Sequence, residues 1–210
     1  MSHFIQNQNW RYATKKFDAT KKISTEDLNT LKEAIRLSSS SYGLQPYKVF
    51  IIEDTTLREK LKPVAWGQNQ ITDASHLIVF ANETNIGDTQ IDAYLSNISE
   101  TRGIPMEGLS GYGDFMKSKI TPLPLEAKNT WTSKQTYLAL ANLLNAAAEL
   151  KIDVTPMEGF EPAAFNEILG LTEKGLNASV IAPIGYRHEE DDTQHYKKVR
   201  KSNDDLFITL

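Results

Sequence analysis

A chain of 210 residues with a formal charge of −4, 40% hydrophobic and 24% charged residues, has the make-up of a globular protein able to bury a core without staples. Its mild acidity supplies no basic field for nucleic acid or anionic lipid. The absence of cysteine excludes disulfides, thiolate metal sites, a cysteine nucleophile and a redox dithiol, so any redox chemistry must come from a bound cofactor. The N-terminal stretch has no signal-like apolar run, and no segment approaches the length of a membrane span. The expectation is a cytoplasmic protein that engages neither membrane nor nucleic acid.

In chain order, Ser24 caps a first helix with Asp27 at the capping-box position and Leu28, Leu31 and Ile35 on one face. The serines Ser38 to Ser41, then Gly43 and Pro46, stop it. Val49 to Ile52 reads as a buried strand, a short helix follows from about Thr55 to Pro63, and Leu77 to Phe80 is a second buried strand. From Asp88 to about Lys119 the chain is polar and helical, with breaks at Gly103, Gly108, Gly111 and Gly113. Carrying Tyr112 and Phe115, that glycine-rich stretch reads as a mobile excursion rather than core. Leu125 to Leu150 is the main helix, and its apolar surface spreads around most of its faces, as burial on most faces requires. A subunit interface is one way to achieve that.

Ile152 to Thr155 reads as a short strand ending at Pro156. Pro162 opens a helix that Gly170 closes, and Val180 to Ile184 is a further strand. The polar stretch Glu189 to Asp205 ends on Leu206-Phe207-Ile208-Thr209-Leu210, an apolar, strand-like run that a disordered tail seldom has. It is expected to pair with a sheet, its own or a partner's. Helices and strands alternate around one sheet, giving an α/β or α+β layer architecture.

None of the four histidines shares ligand spacing with another histidine or a carboxylate, so no metal site is expected. There is no nucleophile elbow, no phosphate-binding lysine loop and no dinucleotide-binding glycine fingerprint. Two basic clusters stand out: Arg11, Lys15 and Lys16 before the first helix, and Lys197, Lys198, Arg200 and Lys201 near the C-terminus. Spacing alone favours two solvated segments; the sharper alternative is that both ends converge on one phosphate. Pro156-Met157-Glu158-Gly159-Phe160 is either a plain turn or a turn whose backbone amides face a planar cofactor, with glycine permitting close approach.

Five segments occur in order over nearly the whole chain: Arg11-Tyr12-Ala13-Thr14-Lys15-Lys16-Phe17-Asp18, Ser39-Ser40-Ser41 with Gln45-Pro46-Tyr47, Asp73-Ala74-Ser75-His76, Pro156-Met157-Glu158-Gly159-Phe160, and Lys198-Val199-Arg200. As an ordered set they resemble the nitroreductase family, specifically its oxygen-insensitive NAD(P)H nitroreductases. The resemblance implies an α+β fold with a central mixed or antiparallel sheet surrounded by helices. Residues 1–210 would form a single FMN-binding domain in an intertwined homodimer, with a C-terminal extension from about 189 packing on the partner subunit and FMN held at the interface.

Carried over by position, Arg11, Lys198 and Arg200 hold the FMN phosphate, and Lys15 lies near the pyrimidine end of the ring, where positive charge favours the reduced anion. The backbone of Glu158 and Gly159, beside Pro156, approaches the N5 and O4 region. Ser39, Ser40, Ser41, Gly43 and Gln45 contact flavin from the other subunit, and Gln68 or Gln70 bonds the pyrimidine edge. Tyr42 and Trp66 shape the substrate face, with Tyr112 and Phe115 beside it. Ala13 stands where the family has serine, Gly67 where relatives have asparagine, and Gln70 where they have lysine. The implied activity is hydride transfer from NADH or NADPH through flavin N5, with no catalytic side chain, to small planar acceptors such as nitroaromatics and quinones in a ping-pong cycle. A flavin or dihydropteridine reductase of the same fold, and a non-catalytic flavin-binding protein, are the alternatives.

Overall fold

A computed structural model describes residues 1–210. Helix α1 (His3–Trp10), capped by Ser2, had no counterpart in the sequence pattern, for it buries only Asn7. Ser24 caps α2 (Thr25–Arg36) by accepting from the Asp27 amide, and Leu28, Leu31 and Ile35 are its buried side. Then come β1 (Tyr47–Ile52), α3 (Thr55–Leu61), the single turn α4 (Gln70–Asp73) and β2 (His76–Glu83). Helices α5 (Asp88–Arg102), α6 (Ser110–Ile120) and α7 (Leu125–Glu149) lead into the short β3 (Asp153–Val154). Helix α8 (Pro162–Leu169) ends on left-handed Gly170, and β4 (Leu176–Gly185) and α9 (Asn203–Leu206) complete the chain. None of the helices is long and apolar enough to cross a membrane.

The four strands form one sheet in the order β1-β2-β4-β3, every neighbouring pair antiparallel. β2 and β4 are central and almost wholly buried. β1 lies at an edge, so Val49 to Ile51 are only half-buried, where the apolar run had predicted full burial. On one face α2 and α7 pack a cluster including Leu31, Ile78, Phe80, Leu140 and Leu143. On the other α3 and α8 bury Leu61, Leu77, Val79 and Phe165.

Two expectations need correction. The stretch from Asp88 carries a core of its own, in which Ile91, Leu95, Ile98, Met116 and Ile120 pack between α5 and α6. Gly111 and Gly113 lie inside α6 rather than breaking it. A Cβ on Gly113 would sit 2.7 Å from Leu95 Cδ1, so glycine there permits close helix packing. The apolar tail does not pair with its own sheet: Phe207, Ile208 and Leu210 are exposed. Helix α7 also keeps one open side, with Tyr137 and Leu138 turned to the surface.

Candidate functional site

The two basic clusters are distant in sequence and adjacent in space. Lys198 Nζ donates to the Arg11 carbonyl. The Arg11 guanidinium is pushed down by burial and then by Arg200, while Lys198 is pushed down by burial and then by Arg11, Arg200 and Arg187. Arg187 is neutralised: it pairs with buried Asp153 (Nη2–Oδ1 2.6 Å, Nε–Oδ1 3.0 Å) and stacks its guanidinium over Trp10 and Tyr12. Arg11, Lys198 and Arg200 have no carboxylate partner. Three like charges converging without a counter-charge repel one another, a repulsion that an anion with the charge of a phosphate relieves.

The loop carrying Ala13 and Lys15 is fixed by Asp191, itself buried. Its Oδ2 accepts from the Lys15 amide (2.7 Å), the Lys16 amide (3.1 Å) and the Tyr12 hydroxyl (3.0 Å), and its Oδ1 from the Thr193 amide and hydroxyl. Burial pushes the Asp191 carboxyl up, but the bonds from Thr193, Lys16, Lys15 and Tyr12 outweigh it and leave the group below its usual range. The Lys15 side chain is exposed, as is Ala13, whereas Thr14 is buried and its hydroxyl has no partner.

A second group of residues gathers at the Pro156–Phe160 turn. The Met157 amide donates to Ile181 and the Ile181 amide returns the bond, stapling the turn to β4. Gln68 Nε2 donates to the Gly159 carbonyl at 2.8 Å, and Trp66 Nε1 donates to Glu161 Oε1 at 2.9 Å. A Cβ on Gly159 would lie 2.9 Å from the Trp66 ring, so the glycine is what lets the indole and Gln68 close on the turn. The Glu158 and Gly159 amides donate to no protein acceptor. They are a ready pair of donors for a ligand. Of the two glutamines, Gln68 touches this turn; Gln70 is buried at the start of α4. Exposed Pro156 enters the turn, and Trp66 is 66% exposed.

Ser39 to Gln45 lies elsewhere. The Ser41 amide donates to Gln135 Oε1 on α7 at 2.8 Å, whereas the Tyr137 hydroxyl, also on α7, donates to Glu158 Oε1. Residues two apart on a helix point about 200° from one another. The serine segment and the Glu158 turn therefore sit on opposite sides of α7. Tyr42 and Gly43 have φ of 57° and 82°, and Gln45 of 43°. The Ser40 hydroxyl accepts from the Gln45 amide, which holds this strained turn closed, while Ser39 is exposed. Tyr42 packs edge-on against Phe115 and Trp131, and the Tyr112 hydroxyl reaches the Tyr42 carbonyl. Tyr42, Tyr112 and Phe115 thus share one aromatic patch, and Trp66 belongs to the other half.

Sequence reasoning missed Asp153, Asp191, Arg187, Gln135 and Tyr137. Asp153 and Arg187 pair across 34 residues, and the loop donors that Asp191 collects lie at least 175 residues away, so no local spacing marks them. Gln135 and Tyr137 sit on the recognised main helix, but periodicity assigns a face without naming what it faces.

The chain matches the model of the nitroreductase family over residues 9–186. A Staphylococcus epidermidis protein named provisionally as an NAD(P)H nitroreductase is 38% identical over 206 residues, 94% of this chain and 92% of that protein. The major NAD(P)H-flavin oxidoreductase of Aliivibrio fischeri is 34% identical over 215 residues, 99% of this chain and 97% of that protein. Among solved structures, one from Exiguobacterium sibiricum, described as a complex with FMN, superposes with a TM-score of 0.85 at 20% identity, covering 100% of this chain and 98% of its own.

Proposed function

The chain belongs to the nitroreductase family, and we propose that within it the protein works as an FMN-dependent NAD(P)H oxidoreductase acting on nitroaromatics and quinones. When bound, FMN supplies a ring that accepts hydride from NADH or NADPH and passes the electrons to the acceptor in a ping-pong cycle. Arg11, Lys198 and Arg200 hold its phosphate, because they are the converging cations without a counter-charge. The free Glu158 and Gly159 amides meet acceptor atoms on the ring, and Gln68 holds the turn that presents them. Lys15, on the loop that Asp191 fixes, keeps positive charge near the pyrimidine end and favours electron-rich states there. The exposed Trp66 indole offers planar molecules an apolar wall.

The opposed positions of Ser39–Gln45 and Glu158 on α7 support a site shared between two copies. One chain contributes the cations and the Glu158 turn; its partner contributes Ser39, Ser40, Ser41, Gly43, Gln45 and the Tyr42, Tyr112 and Phe115 patch. We read residues 1–210 as one domain; of the extension from about 189, Asp191 to Lys198 lies against its own Arg11–Lys16 segment, and the part beyond Arg200 reaches the partner. A groove of about 600 Å³ runs along β1, lined by Lys32, Lys48, Glu83, Tyr47, Val49 and Arg36, the last paired with Glu33. Its cations and apolar wall suit a tail carrying Asp204, Asp205, Phe207 and Ile208.

The observation that carries this reading is the uncompensated trio Arg11, Lys198 and Arg200, set in one fold with two unpaired amides. The purified protein should be yellow, and mass analysis of the released flavin should find FMN. NADPH should bleach it rapidly in stopped flow and a quinone should reoxidise it. A colourless protein that FMN cannot reconstitute overturns the proposal. The 34% identity to an NAD(P)H-flavin oxidoreductase favours a second acceptor class, free flavin. Comparing kcat/KM for riboflavin, a quinone and a nitroaromatic separates the two.

A further inference from the structure

The segment Pro156–Glu161 is clamped at three points, and none of them reaches the Glu158 side chain. Met157 is stapled to β4, Gly159 is held by Gln68, and Glu161 is held by Trp66 and by a bond from its amide to the Val64 carbonyl. The Glu158 carboxylate has no cationic partner anywhere in the chain. Its single bond comes from Tyr137, 21 residues earlier on α7. That carboxylate belongs to the same residue that offers one of the two free amides, and the other free amide is next to it. Released, it would be a strong acceptor beside both donors, and it would set a negative charge where the cofactor becomes electron-rich.

We propose that Tyr137 is a positioning residue: its hydroxyl ties the Glu158 carboxylate back to α7, leaving the Glu158 and Gly159 amides free for the cofactor and holding the negative charge away from it. The inference rests on the FMN reading given above. Burial, then the bond to Glu158 and the charge on Glu158, push the phenol up to about 12. The donor therefore survives across the working pH range, and the phenol serves as a tether rather than as a proton source. Tyr137 is 42% exposed on the open side of α7, so removing its hydroxyl disturbs little core.

The test compares wild type, Tyr137→Phe, Glu158→Gln and the double variant by two measurements other than turnover: the FMN dissociation constant of the apoprotein and the two-electron midpoint potential of the bound flavin. Tyr137→Phe should weaken binding of reduced FMN about tenfold more than that of oxidised FMN, lowering the potential by about 30 mV. The double variant, which frees a side chain without charge, should recover most of that shift. Glu158→Ala, which removes the carboxylate from the other side, should follow the double variant and keeps the test open should Tyr137→Phe fold poorly. An unchanged potential in Tyr137→Phe, or a double variant shifted as far as the single one, overturns the proposal. A merely structural tyrosine would lower the melting temperature of the apoprotein without that charge-dependent recovery. Failure of the wild type to bind FMN would instead sink the FMN reading, and this inference with it.

Discussion

The two halves of the site are held by different physics. Around Arg11 and Lys15 the chain is organised by buried carboxylates. Asp153 neutralises Arg187 and Asp191 collects donors from the Tyr12–Lys16 loop, leaving three cations uncompensated. Around Ser39–Gln45 there is no such charge. The segment is held by left-handed backbone at Tyr42, Gly43 and Gln45, one glutamine side chain from α7, and aromatic packing from α6. A charged ligand end needs an electrostatic frame, and a planar apolar end needs a shaped wall. The contrast also sets what each half should be sensitive to: the first to charge and pH, the second to shape.

The largest effect is expected from Asp191→Ala, which strands the donors of Tyr12, Lys15 and Lys16. Charge-assisted bonds of this kind contribute about 1.5–3 kcal/mol each and do not add, so a loss of about 3 kcal/mol in urea unfolding is expected. Asp191→Asn, which retains one acceptor, should lose about half as much. A change below 0.5 kcal/mol would show that the loop is not organised by this carboxylate. The same residue gives the first half its pH dependence. Its carboxyl lies below the usual range in the folded chain, so its stabilisation is complete above about pH 4, the ordinary aspartate value, and is lost as pH falls through the depressed folded value. Asp191→Asn should flatten the acid limb of the melting curve.

Next comes Arg200→Ala. If the trio binds phosphate, FMN affinity should fall by about 1.5–3 kcal/mol, roughly 10- to 150-fold in Kd, and excess FMN should restore activity. Lys15→Ala should instead lower the flavin's midpoint potential in a way saturating FMN does not rescue. Wild-type affinity in Arg200→Ala would reduce the converging ends to a solvated tail.

Smaller still is Gly43→Ala in the second half. An L-residue at φ 82° is strained, and the new Cβ would stand 2.4 Å from Tyr94 Oη. The hydroxyl can move, so a cost of about 1–2 kcal/mol is expected from the backbone, with only the steric part relieved by Tyr94→Phe. Neither variant should alter the acid limb. Light scattering completes the comparison: if the halves meet across subunits, the species in solution should have twice the 23.6 kDa chain mass, and a flavin-bound monomer would break it.

Local pattern alone specified the elements whose signals are local. Ser24 and Asp27 begin α2, Pro162 and Gly170 bound α8, and Leu125 to Glu149 is one long helix. Capping groups and apolar periodicity act within a few residues of where they are read. The ordered family segments pointed to the residues worth following. Only the tertiary structure decided that Arg11 and Lys198 touch, that Gln68 rather than Gln70 reaches the Gly159 turn, and that Gln135 and Tyr137 look in opposite directions. It also made the Gly108–Gly113 stretch part of a packed layer and β1 an edge strand. Those outcomes depend on the path of the backbone between residues up to 187 positions apart. An isolated arginine or tyrosine carries the chemistry of its side chain, but only the folded chain determines which charge or carboxylate that side chain meets.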